Sequence, residues 1–114
     1  MAIKIAENMY LEADTPTSTL PVDLGGNNNS ALFEIWVLNA RGTLGTGGVN
    51  PVLQGSNDGL NWTQVTVGTT DTASPSYKSI DVNAVVAFAR VRLKFIATGQ
   101  AALVDAAVTP YKRS

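Results

Sequence analysis

Phe88-Ala89-Arg90-Val91-Arg92-Leu93-Lys94-Phe95-Ile96 alternates with a period of two. Ala89, Val91, Leu93 and Phe95 fall on one face; Arg90, Arg92 and Lys94 fall on the other. That pattern predicts an antiparallel strand with one buried face and one solvated or interfacial face. Wound as a helix, the same residues would scatter charge all round.

The same period recurs outward from this stretch. In residues 32–38, Phe33, Ile35 and Val37 form one face, and Leu32, Glu34, Trp36 and Leu38 the other. Both faces are largely apolar, which predicts a central strand covered on both sides, or one whose outer face meets a partner. Residues 101–109 set Ala102, Val104, Ala106 and Val108 against Leu103, Asp105 and Ala107. Their alanines permit helix, but the preceding Thr98-Gly99-Gln100 turn favours a hairpin with the strand before it. Weaker strand signals cover residues 3–10, 19–24, 62–67 and 77–82. Between them, residues 25–30, 42–48 and 68–75 are rich in Gly, Asn, Ser and Thr, which tolerate tight backbone geometry. The expectation is an all-β, single-domain antiparallel β-sandwich or jelly roll of about seven or eight strands. It spans residues 1–114, and residues 1–10 serve as an arm that adds a strand to a neighbour.

Composition bounds the chemistry. A chain of 114 residues suits one domain and buries roughly two-thirds of its unfolded surface. Charged residues make up 15%, against about a quarter in ordinary domains, so polar neutral residues finish the surface. The net charge is −1, and no basic patch of the kind that displaces counterions from nucleic acid stands out. The longest apolar run, residues 84–89, is far short of the ~20 residues of a membrane span. Residues 1–7 lack the apolar core of a secretory signal.

With no cysteine and no histidine, disulfides, thiolate metal sites and histidine general bases are all impossible. Gly42-Thr43-Leu44-Gly45-Thr46-Gly47-Gly48 lacks the Lys-Ser/Thr of a phosphate loop and reads as a surface loop. No acidic motif separates two pKa values, and no Ser-x-x-Lys element stands on a helix. The expectation is therefore no catalytic residue, no metal and no cofactor.

The most specific local signal is Ser56-Asn57-Asp58-Gly59 followed by Trp62. Ser56 or Asn57 starts a turn by bonding its own backbone, and Gly59 takes the positive φ that closes a short hairpin loop. Asn57, Asp58 and Asn61 could instead be oxygen ligands for Ca²⁺ or a sugar. A single carboxylate is little charge for Ca²⁺, so turn chemistry is the preferred reading.

This stretch resembles known proteins. A strand, Gly-Ser-Asn-Asp-Gly-x-x-Trp and a second strand recur in discoidin-like β-sandwiches and in small β-sandwich proteins of tailed phages. Ala89-Arg90-Val91-Arg92-Leu93 is similar to the strand that accompanies it in both groups. The likeness covers residues 52–67 and 86–95. Discoidin-type domains are usually longer and often carry cysteines, so the shorter phage head accessory proteins, of decoration or head-fibre type, are the better match. The resemblance implies a non-enzymatic virion protein on the capsid surface. Its partner would be the phage major capsid protein, and it would form a homo-oligomer, a trimer being favoured. The alternative is a carbohydrate-binding module acting through Trp62 and Asn61. The candidate interaction residues are Trp36, Asn61, Trp62, Arg90, Arg92 and Lys94. For the two tryptophans core packing is the default, and for the cationic ladder a solvated face is.

Overall fold

In the computed structural model, residues 2–24, 28–40, 48–68, 76–82 and 88–112 are described, with the backbone alone at 39 and 40. The glycine-rich loop expected at 42–48 lies outside them apart from Gly48, as does most of 68–75. Among the described residues there are nine strands: β1 (Ile3–Leu11), β2 (Thr17–Ser18), β3 (Val22–Asp23), β4 (Ser30–Ala40), β5 (Val49–Ser56), β6 (Thr63–Val67), β7 (Ser76–Val82), β8 (Arg90–Ala97) and β9 (Ala102–Tyr111). They form two antiparallel sheets. One has the order β1-β9-β4-β7; the other has the order β2-β8-β5-β6, with β3 also paired to β8. The all-β sandwich expected from the alternation is the fold observed.

The alternation of β8 explains its position. Val91, Leu93 and Phe95 are fully buried, and Arg90, Arg92 and Lys94 between them are half-buried on the outer face. In β4, Phe33, Ile35 and Val37 turn inward to meet them. These residues, with Val104 and Val108 of β9, belong to a single apolar core drawn from both sheets. Truncating either central phenylalanine to alanine would cost about 3–5 kcal/mol.

Several expectations are corrected. The stretch at 19–24 holds only the short strand β3, and β2 just before it also pairs with β8. Pro21 lacks the N–H that a continuous strand would donate. At the break, buried Thr19 takes over: its Oγ1 accepts the Leu93 N–H at 3.0 Å, and its own N–H donates to the Leu93 carbonyl at 2.8 Å. The expected β8–β9 hairpin is absent. β8 is paired on both sides within its own sheet, and β9 lies between β1 and β4 in the other. The turn at Thr98-Gly99, where Gly99 has φ +82°, carries the chain from sheet to sheet.

The expected arm is likewise part of this molecule. From Ile3 onward it pairs with β9. Two register shifts interrupt β1, at Lys4/Ala6 and Ala6/Met9, and Asn8 adopts φ 47°. Asp105 of β9 holds this irregular strand: it accepts the Asn8 N–H at 2.7 Å and the Lys4 ammonium at 3.3 Å. On the opposite edge of the same sheet, β7 places Lys78 across from buried Ile35, in the row that faces the core. In the second sheet, β6 is short and meets β5 through a further bulge at Leu53/Gln54.

Candidate functional site

The loop joining β5 to β6 is built locally. Ser56 Oγ, buried at the end of β5, accepts the Gly59 N–H at 2.9 Å and donates to Asp58 Oδ1 at 3.0 Å. The same Oδ1 accepts the N–H groups of Leu60 and Asn61, each at 2.8 Å. Asn61 Nδ2 donates to Asp58 Oδ2 at 2.7 Å. Gly59 has φ +77°, as the turn reading requires. These bonds, the Asn61 backbone N–H foremost, hold the Asp58 carboxyl below the ordinary carboxylate range. Ser56, Asp58 and Asn61 bond within the loop's own turn, as the local reading of Ser56-Asn57-Asp58-Gly59 anticipates.

Two longer contacts tie the loop to the sandwich. Asn57 Oδ1 accepts the Ala89 N–H at 2.8 Å. Gly55, buried in β5, leaves room for Phe88: a Cβ at 55 would lie 2.4 Å from the ring. This is a position where close approach demands glycine.

Beyond the loop, five of the six candidate residues lie together on the second sheet or its loop. β8 presents Arg90, Arg92 and Lys94 in a row, opposite Ser56, Gln54 and Val52 of β5. The Arg92 guanidinium lies 4.1 Å from the centroid of the Trp62 ring and donates from Nε to Gln54 Oε1 at 2.8 Å. Such a cation–π contact is worth about 0.5–1 kcal/mol at a surface. Desolvation lowers the Arg92 pKa from its ordinary value, but the guanidinium stays charged, since arginine does not deprotonate in proteins. Asp23 stands in register opposite Arg90, so the row carries one acid beside its three cations. Asn61 and Trp62 complete the group from the loop.

Core packing, the default for both tryptophans, is overturned. Each is half-buried on an outer face: Trp62 on the second sheet and Trp36 on the first. The parity of β4, with Phe33, Ile35 and Val37 inward, sends Trp36 outward. There it meets Tyr77 of β7, with ring centroids 5.3 Å apart and planes at 46°. The Tyr77 hydroxyl donates to Glu34 Oε2 at 2.9 Å, and that bond raises the phenol above its usual pKa. Trp36 is therefore separated from the other five candidates by the thickness of the sandwich. Sequence reasoning missed Tyr77, Gln54 and Phe88. Each acts through a cross-strand partner far away in the chain, a relation that local pattern does not carry.

Among the described residues, no three acidic side chains gather as a metal site would require, and no helix is long and apolar enough to cross a membrane. No family model matches the chain, and no curated protein sequence matches it. Among solved structures, the SPBc2 prophage-derived protein YomS is similar over 96% of this chain and 92% of its own, with 11% identity and a TM-score of 0.50. That likeness is one of fold: the two-sheet arrangement is shared with a prophage-derived protein.

Proposed function

We propose that this chain is a non-enzymatic structural protein of a tailed-phage particle. It decorates the outside of the head as a homo-oligomer, with a trimer as the expected form. The observation that carries the reading is the preordered cationic row of β8. Arg92 is held between Trp62 and Gln54, and Arg90 and Lys94 flank it on a strand whose other face is locked in the core. A fixed cation beside an aromatic ring suits an acidic protein surface, since little side-chain freedom is lost on docking. The fold shared with a prophage-derived protein and the low share of charged residues agree with it. The partner is the major capsid protein.

A decoration protein works by mass action. A copy that binds only the assembled shell stabilises it by RT ln(1 + [L]/Kd), about 2.7 kcal/mol per site at a hundredfold excess over Kd. A symmetric oligomer bridging neighbouring subunits multiplies this through effective concentration.

The test is binding to purified heads that lack the protein, followed by sedimentation and electron microscopy. Many copies spread over the shell are expected. Arg92→Glu should remove binding while the thermal transition stays cooperative. Absence of binding, or a few copies at one vertex, would overturn the proposal.

A further inference from the structure

The first sheet carries a groove that neither the basic row nor the hairpin loop touches. Strand β9 runs between β1 and β4, and on the outer face it presents Ala107 beside Asp105. On one side stand Trp36 and Leu38 of β4; on the other stand Lys4 of β1 and Ala2 just before that strand. Together with Asp105 and Ala107 they enclose about 400 Å³. The groove exists because alanine at 107 leaves a low floor between two walls. Leu38 stands on the same side as Trp36 by the alternation of β4, and the register shift between Val37 and Asn39 comes only after it.

We propose that this groove binds a neutral pyranose sugar, stacked on the Trp36 indole. Three properties argue for that occupant. First, the wall is an aromatic face, negative at its centre, which suits the polarised C–H groups on the flat side of a sugar ring. Second, the opposite wall supplies a donor, Lys4, and the floor an acceptor, Asp105. Lys4 Nζ gives one contact to Asp105 Oδ2 at 3.3 Å, and an ammonium has three hydrogens to give. Among the described residues, Asp105 Oδ2 accepts from Lys4 and Oδ1 from the Asn8 N–H, and a carboxylate oxygen has lone-pair capacity for a second bond. Adjacent hydroxyls on a sugar need that combination. Third, Lys4 and Asp105 cancel in charge, so the groove favours a neutral ligand over an anion.

The walls are ordered before anything binds. Tyr77 leans on Trp36 and is itself tethered to Glu34. Asp105 is fixed by Lys4 and the β1 backbone. Preorganisation of this kind removes the ordering cost that weak ligands cannot meet. Trp62, the other tryptophan, has Arg92 over its ring at 4.1 Å, so that face is already taken. An open groove contacting one sugar ring should bind in about the millimolar range. Repeated copies on one particle would raise that through avidity.

The test uses the two tryptophans as separate reporters. In ¹H–¹⁵N spectra of the full chain, each indole N–H gives one signal. Methyl glycosides of glucose, galactose, N-acetylglucosamine and rhamnose are titrated in turn. The Trp36 signal should shift and saturate with at least one of them, while the Trp62 signal stays fixed. Trp36→Ala should weaken binding about tenfold or more. Trp36→Phe should retain part of it with an unchanged fold, and Asp105→Asn should alter which sugar is preferred. No saturable shift with any sugar would overturn the proposal. So would equal shifts at both indoles, or a Trp36→Ala variant that loses oligomerisation or head binding instead, which would make the groove a protein contact. Head binding lost through Arg92→Glu leaves this result untouched, so the two readings fail separately.

Discussion

Gly55 offers a quantitative test of how the hairpin loop is seated. A methyl group added there would come within 2.4 Å of Phe88 Cγ and 2.5 and 2.8 Å of its two Cδ atoms. To restore an ordinary contact of 3.4 Å the ring must withdraw by about 1 Å, in a region where β5, β8 and the loop already meet. Overpacking of this size costs about 1–3 kcal/mol, or a fall in Tm of roughly 4–12 °C for a domain of this length. Gly55 is not among the glycines with positive φ, so backbone strain adds nothing to Gly55→Ala. In a Phe88→Ala background the clash disappears. The added methyl should then be neutral, or stabilise by about 0.4–1 kcal/mol by restricting the unfolded chain. The double-mutant cycle should therefore show a coupling of about 1–4 kcal/mol. Urea unfolding followed by tryptophan fluorescence measures all four proteins. If Gly55→Ala matched the wild type, or cost the same in both backgrounds, the seating of Phe88 over Gly55 would be refuted.

Two further outcomes follow from the hydrogen bonds. Thr19→Val keeps the shape but strands the buried Leu93 N–H. It should cost about 1–3 kcal/mol in denaturant unfolding and speed exchange of the Leu93 amide, with Thr19→Ser close to wild type. Asp58 has a pKa held below its unfolded value of about 3.9. Its contribution is therefore fully present above that pH and is lost as the pH falls below about 4 towards the folded value. Acid titration of the wild type against Asp58→Asn should show a smaller loss of hairpin stability in the variant below that pH, read from the Leu60 and Asn61 amide signals.

What was legible in the sequence was local or strictly periodic. The facing of β8 follows from alternation alone, because Arg90, Arg92 and Lys94 cannot share a side with Val91 and Leu93 at period two. The Ser56–Asn61 turn is legible because its bonds span only two or three positions. The strand signal at residues 3–10 was legible but its partner was not: β1 pairs with β9 of the same molecule, and its bulges bury Ile5 and Ala6 side by side, which weakens the alternation that marks a strand with a core face. The hairpin expected across Thr98-Gly99 failed for a topological reason. Adjacency in sequence favours pairing, but β8 and β9 each had two other neighbours. The facing of Trp36 depended on which side of β4 the second sheet would cover. With apolar residues on both sides, composition did not decide, and the answer came from the packing of Phe33, Ile35 and Val37 into the core shared with the second sheet.

The edges of the first sheet carry a consequence for life at high density. A flat, unbroken edge strand is a template for another chain, and many such copies held side by side would zip into fibres. Here one margin is kinked twice along β1 and the other carries Lys78 in its core-facing row, where an incoming strand would have to accommodate a charge. A molecule with those margins can be crowded shoulder to shoulder and still meet its neighbours through its broad faces.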